Sequence, residues 1–422
     1  MQQEDKKALK YHSEGRPGKT EVIPTKPLRN PEEIALAYSP GAIIPAIGIS
    51  NNAWNAYKYT NKGNLVAVIS NGSNISDRGN LGAAAAKPLL EGESMLFKFY
   101  ADIDAFDIEI AEENSDKLAE IIHSMAPTFG AIALSGIEDK LCLIIEKQLS
   151  GQLDIPIINN YICGKAVCCA AAIINATEFA CKEIKELKVV ISSNNESIKT
   201  MLLAIGIRQE NISTFEGASS IVATDIFISL SQENIITEGD IQSMAHDPIV
   251  ILLSDTIGFD IEKVRELRPD TIFSTCCADV PNQINEIIAF PYIFRAALDT
   301  LATHINENML LAAATAIAML ARRPVPASLK RKYKKEFGYN REYILPLPCD
   351  RRLVTEVAVA TAKAAIESGA ARHHINDWEN YCDTLLSRLE REYSIYREIF
   401  GHHRSSHKLH RRYTRSMPSI TL

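Results

Sequence analysis

The sequence has little tryptophan, two residues in 422, and no apolar stretch of bilayer length. Its longest such stretches, residues 309–321 and 166–174, stop short of the roughly 18 residues that a membrane-crossing helix needs. Nor is there any apolar segment in the first thirty residues, where Lys6, Lys7, Lys10, Arg16 and Lys19 stand among polar neighbours, so a secretory leader is not expected and a cytoplasmic protein is. The nine cysteines contain no CxxC and no Cys/His spacing of a zinc site. An odd number with adjacent pairs, Cys168-Cys169 and Cys276-Cys277, reads as reduced thiols, and the run KAVCCAAAII places the first pair on a buried helix face. Excess basic charge is missing too: 52 acidic against 45 basic residues give a net charge of -7, which offers nucleic acid no footprint over the chain as a whole. A small molecule or another protein is the expected partner.

What is present is ample core-forming material, 46% hydrophobic, arranged in two rounds of strand and helix. The opening thirty residues carry Pro17, Pro24 and Pro27 and are expected to extend rather than coil. The segment PEEIALAYSPG then reads as a helix, NLVAVIS (64–70) and SMLFKFYADIDAFDIEI (94–110) read as strands, and GNLGAAAAKPLLEG between them reads as a helix closed by glycine. With SDKLAEIIHSMAP, AIALS and IPIIN the alternation implies a mainly parallel sheet. A second round follows in KAVCCAAAIINATEFACKEI, LKVVISS, ESIKTMLLAIGI, ATDIFISL, DPIVILLS and TIFSTC, the rhythm of a doubly wound nucleotide-binding sheet. The expected organisation is an N-terminal α/β domain over residues 1–160, a Rossmann-like domain over 161–370 with C-terminal helices, and a final helix with a basic, His-rich tail over 371–422. That tail reads as solvated chain, with nucleic-acid or anionic-surface binding as the alternative.

Several blocks resemble the malic enzyme family in its short bacterial form: PTKPLRNPEEIALAYSPG, YTNKGNLVAVISNG, GNLGAAAAKPLLEGESMLFK, DIDAFDIEI, PTFGAI, PNQINEIIAFPYIFRAALD, INENMLLAAATAIAMLA and YILPLPCDRRLVTEVAVATAKAAIESG. They run in family order from about residue 10 to 370. The resemblance implies oxidation of malate by NAD or NADP, decarboxylation assisted by Mg2+ or Mn2+, and protonation of the resulting enol. It also implies that Tyr38 stands at the position of the general acid, Lys87 at that of the base, and Asn282 and Asn285 at those of the amides that orient the substrate carboxylate. A structural reading of the same residues stays open, with Tyr38 ending a helix and Lys87 lying along Ala-rich turns.

Other family positions are changed. The Glu-Asp pair expected after AIAL is Ser135-Gly136, and the Asp expected after IPII is Tyr161, within Asn159-Asn160-Tyr161-Ile162-Cys163-Gly164-Lys165. Three carboxylates that the resemblance assigns to the metal are thus absent, and Lys165 adds a positive charge nearby. A shifted strand end could present Glu138 and Asp139 instead. The glycine-rich turn expected after LKVVIS is Ser192-Ser193-Asn194-Asn195-Glu196, the segment for the adenosine ribose is shortened, and the Asn-Pro-x-Pro-Glu expected after PIVILLS is Asp255-Thr256-Ile257-Gly258-Phe259. These changes point to a catalytically impaired homologue with a binding or regulatory role, for which no cofactor is expected. It is expected to form a homo-oligomer or to pair with an active malic-enzyme subunit. The alternatives are an active enzyme with a site rebuilt from Glu138, Asp139 or Asp255, and metal-free enolisation of a small keto acid through Tyr38 and Lys87.

Overall fold

The computed structural model describes residues 3–13, 18–75, 78–230, 236–254, 259–277 and 282–400. Four short helices, α1 (Gln3–Ser13), α2 (Pro31–Ala37), α3 (Ile43–Asn51) and α4 (Asn55–Tyr59), precede β1 (Leu65–Ser70), whose six residues are all buried. A strand covered on both faces loses the alternation of a half-exposed one, which is why LVAVIS reads as one apolar run. Then come α5 (Ala83–Ala101), β2 (Asp104–Glu109), α6 (Ser115–Met125), β3 (Ala131–Leu134), α7 (Asp139–Leu149) and β4 (Ile157–Asn159), closing a parallel sheet of order β2-β1-β3-β4. Val66, Val68, Ala131 and Ala133 pack toward α5, while Leu65, Ala67, Ile69 and Ile132 pack toward α6 and α7.

Helix α8 (Asn160–Ala180) leads into the second parallel sheet. There β5 (Val189–Ile191), α9 (Glu196–Ala204), β6 (Ile212–Thr214), β7 (Ile226–Ser229), α10 (Glu238–Ser243), β8 (Ile249–Leu252), α11 (Ile261–Leu267) and β9 (Ile272–Thr275) give the order β6-β5-β7-β8-β9. Helices α12 (Phe290–Asp299), α13 (Glu307–Ala321), α14 (Ala327–Tyr333), α15 (Leu353–Glu367) and α16 (Trp378–Phe400) follow. Two parallel sheets flanked by helices are the α/β architecture that the alternation implied. Helix α12 joins them, setting Phe290, Phe294 and Leu298 against the first sheet and Tyr292, Ile293 and Ala296 in the core of the second. By length and composition α8 could cross a membrane, but 72% of its apolar window is buried inside the protein, as befits a core helix.

Local expectations differ from the structure in three places. Residues 3–13 are helical, because the restricting prolines begin only at Pro17 and QEDKKALKYHS is rich in good helix formers. Helix α5 does not stop at Gly92 but runs to Ala101, burying Leu90, Ser94, Phe97 and Ala101 at helical spacing and ending in a left-handed Asp102, so only the last part of residues 94–110 is strand. The edge strand β6 has just one of its three residues partly buried, and so leaves too weak a periodic signal to be read from the sequence. The His-rich tail lies outside the described residues.

Candidate active site

Both sheets reverse their strand order once, between β1 and β3 and between β5 and β7, and open α/β sheets form crevices at the carboxyl ends of such strands. At the first reversal the Ser135 amide donates to Ile69 O at 2.9 Å, which extends the pairing of β3 with β1. The Ser135 hydroxyl donates to Glu93 Oε1, and Asn160 Nδ2 donates to Glu93 Oε2 at 3.3 Å. One carboxylate from α5 therefore ties the end of β3 to the start of α8. Asn160 is 2% exposed, and its Oδ1 is buried with no hydrogen-bond partner among the described residues. One turn along α8, the buried Lys165 Nζ donates to Tyr161 Oη and, at 2.8 Å, to Leu253 O just after β8, and lies 3.9 Å from the Tyr161 ring centroid. Glu286 backs onto the same turn: a Cβ built on Gly164 would stand 2.7 Å from Glu286 Cβ, so the glycine is what admits this approach.

Burial pushes the Glu93 carboxyl up to about 7; the hydrogen bonds from Ser135 and Asn160 oppose that rise and the Glu286 charge adds to it. Burial works against the Lys165 ammonium, but the charges of Cys276, Tyr161 and Glu286 and the bond to Tyr161 outweigh it and hold Lys165 above the ordinary lysine value. Beneath, the Asn159 amide donates to Glu146, whose carboxyl burial pushes up to about 7. The site thus combines one buried ammonium with carboxylates that resist ionising.

The residues expected to act together do not converge on this cluster within one chain. Tyr38, 80% exposed, ends α2 on a stretch of helices that buries none of its residues. Lys87 forms ion pairs with Asp107 and, at 3.7 Å, Glu109 on β2, which lies two strand spacings, roughly 10 Å, from β3. The charged residue that α5 delivers to the cluster is Glu93, visible in the sequence only as a carboxylate beside the buried Leu90, Ser94 and Phe97. Asn282 is a strut: its Nδ2 donates to Phe273 O at 2.9 Å and Arg341 O at 2.8 Å, and its Oδ1 accepts from Ile344 N at 2.8 Å, leaving no amide hydrogen for a substrate. Asn285 accepts from Ile287 N at 3.1 Å and its carbonyl accepts from the Cys168 thiol, so it stands at the edge of the cluster. Glu138 is exposed at the start of α7, whereas Asp139 is drawn in beside Asn159 and senses Lys165. Asp255, Thr256, Ile257 and Gly258 lie outside the described residues.

Comparison with known proteins gives this geometry a family. A sequence model described as "Malic enzyme, N-terminal domain" matches residues 17–150. The NADP-dependent malic enzyme of Halomonas elongata is 38% identical over 86% of this chain and 94% of its own length. The chain belongs to the malic enzyme family. The NADP-dependent malic enzyme of Escherichia coli is 37% identical over 95% of this chain, which spans 57% of that longer protein. The crystal structure of malic enzyme from Pyrococcus horikoshii Ot3 superposes with a TM-score of 0.86 at 29% identity, covering 97% of this chain and all of that one.

Membership raises the question of whether the residues present suit the groups that the family resemblance implies. For a divalent metal they do not. The three implied ligand positions offer a serine hydroxyl already given to Glu93, a glycine, and a phenol already bonded to an ammonium. Hard cations need several oxygen donors with negative charge among them, and Lys165 repels a dication at this distance. The second reversal is filled in a similar way. Ser192 Oγ accepts from Leu230 N at 2.9 Å, Asn195 caps α9 by accepting from Ile198 N at 3.1 Å, and Asn194 donates to Glu196 at 3.4 Å. No residue from Ser192 to Glu196 has a positive φ. The amides that would meet a pyrophosphate are thus partly satisfied from within, and an acid stands in the first turn.

Proposed function

We propose that this chain is a malic-enzyme-family protein whose cleft does not run metal-dependent oxidative decarboxylation of malate and serves a binding or regulatory role, with a small dicarboxylate or keto acid as its ligand class. The observation that carries this reading is the bond from Lys165 Nζ to Tyr161 Oη, at the position where the resemblance places a metal-binding carboxylate. Without a dication to polarise a ketone, loss of carbon dioxide has no stabilised enolate to reach. Purified protein given malate, Mn2+ and either NAD or NADP is expected to show no reduction of the nicotinamide; reduction at an ordinary enzymatic pace overturns the proposal.

A second reading, an active malate dehydrogenase (decarboxylating) with a rebuilt site, is favoured by a separate observation: identities of 37% and 38% to proteins named NADP-dependent malic enzyme over most of the chain. Asp139, drawn in beside Asn159, is the carboxylate it would recruit. The same assay separates the two readings. Enolisation through Tyr38 and Lys87 gains no support from the geometry, since Lys87 is held on β2.

The exposed apolar surface of α2 and α3 supports a further part of the proposal, an oligomer of this chain with itself or with an active malic-enzyme subunit. Ile34, Leu36, Ile43, Ile44 and Ile47 are all more than half exposed, and exposed apolar side chains gathered on two neighbouring helices support an interface there. Sizing of the pure protein should give a species larger than one chain, and Ile44→Glu should reduce it to a monomer; a monomeric parent protein removes this part.

A further inference from the structure

We propose that the ε-ammonium of Lys165 is the resident cation of this cleft, supplied by the chain itself, so that the site keeps its shape and tolerates its carboxylates without a divalent ion. The inference rests on the reading above, that the ligand carboxylates are missing, and adds what has taken their place.

Lys165 is 5% exposed, and an ammonium is held so deep only where acceptors and negative charge meet it. Tyr161 and Leu253 provide the acceptors, and the Tyr161 ring lies 3.9 Å from Nζ. Glu286 acts on it from the turn after β9, and Asp139 from α7 across Asn159. Glu93 is reached through Glu286, whose charge it senses. The phenolic and carbonyl oxygens thus hold a monocation, whose charge faces Glu286 on one side and Asp139 on another. Asn160 Oδ1, a buried acceptor without a partner among the described residues, is not met by Lys165 and stands available to an N–H or O–H donor of a ligand.

Thermal unfolding of the full chain tests the assignment. The parent protein is expected to melt at the same temperature with EDTA, with Mn2+, and with neither. Lys165→Ala, which leaves a hole of alkylammonium shape, should melt several degrees lower and regain at least half of the loss in propylammonium chloride. Sodium chloride or tetramethylammonium chloride at equal ionic strength, neither offering an N–H, should restore none. A rise in the melting temperature of the parent protein with Mn2+ overturns the proposal, as does a Lys165→Ala protein equal to the parent or indifferent to the amine. Should Lys165→Ala fail to fold, Lys165→Met alone and Lys165→Met with Glu286→Gln carry the test: the double variant must be the more stable of the two, and the reverse order refutes the role. Malate oxidation by the parent protein would remove the functional proposal, whereas failed amine rescue without malate oxidation removes only this one.

Discussion

Glu93 on α5 accepts a hydrogen bond from Ser135 at the end of β3, and with its second oxygen it reaches Asn160 at the start of α8. Lys87 lies six residues earlier on the same helix, a rotation of about 240° from Glu93, which sends it to β2. One helix thus offers its lysine to β2 at one edge of the sheet and its glutamate to the cleft, where the glutamate meets Ser135, one of the positions that resemblance places at the metal.

Returning a carboxylate to position 136 should be costly. Gly136 has φ +62°, and an added Cβ would lie 2.7 Å from Ser70 Oγ. Gly136→Asp is expected to lose about 1–3 kcal/mol of stability in urea unfolding. Unchanged stability would show that the turn still has room for a ligand side chain.

Asn282 is expected to behave as a structural residue. Asn282→Ala strands Phe273 O, Arg341 O and Ile344 N in buried surroundings, which should cost roughly 2–4 kcal/mol. Denaturant unfolding measures it. A variant of parental stability that has lost affinity for a dicarboxylate would return Asn282 to the substrate.

Glu146 should make stability depend on pH. Burial raises its folded value to about 7 from the ordinary 4.5, so the stability it contributes is present in full below the unfolded value and is lost as pH rises through the folded one. Glu146→Gln keeps an acceptor for the Asn159 amide but cannot ionise. Relative to the parent protein it should gain stability between pH 5 and pH 8, by at most about 3 kcal/mol. Parallel pH profiles for the two proteins would refute this.

Arg295, 1% exposed, spans Asp299 with two hydrogen bonds of 2.9 and 2.7 Å and reaches Asn64 Oδ1 at 2.6 Å, linking α12 to the approach to β1. Arg295→Ala leaves Asp299 to Tyr381 and Arg388 and should cost about 3–5 kcal/mol in chemical denaturation. Arg295→Lys should recover only a fraction, since a single ammonium cannot serve three acceptors with the geometry of a planar fork. Full recovery would show that charge alone matters here.

Much of this protein was legible along the chain. The β-branched runs, the Ala-rich helices and the blocks PTFGAI and PNQIN specify two parallel sheets and their family, because burial on both faces imposes apolar runs that no distant contact needs to explain. The same reading showed that Ser135, Gly136 and Tyr161 bring no carboxylate and that the turn at Ser192 has no glycine. What it could not decide is where side chains point. Glu93, Glu286 and Lys165 are far apart in sequence, and their meeting depends on the rotation of α5 and on the close pass of residue 286 over Gly164. Neighbours in sequence assign Lys87 and Asn282 to the site, and only the folded chain shows the partners they meet, Asp107 on β2 and the backbone at Phe273 and Arg341. Composition and periodicity determined the fold; the tertiary structure decided the charge of the cleft, because electrostatic partnership depends on distances in space that sequence spacing does not contain.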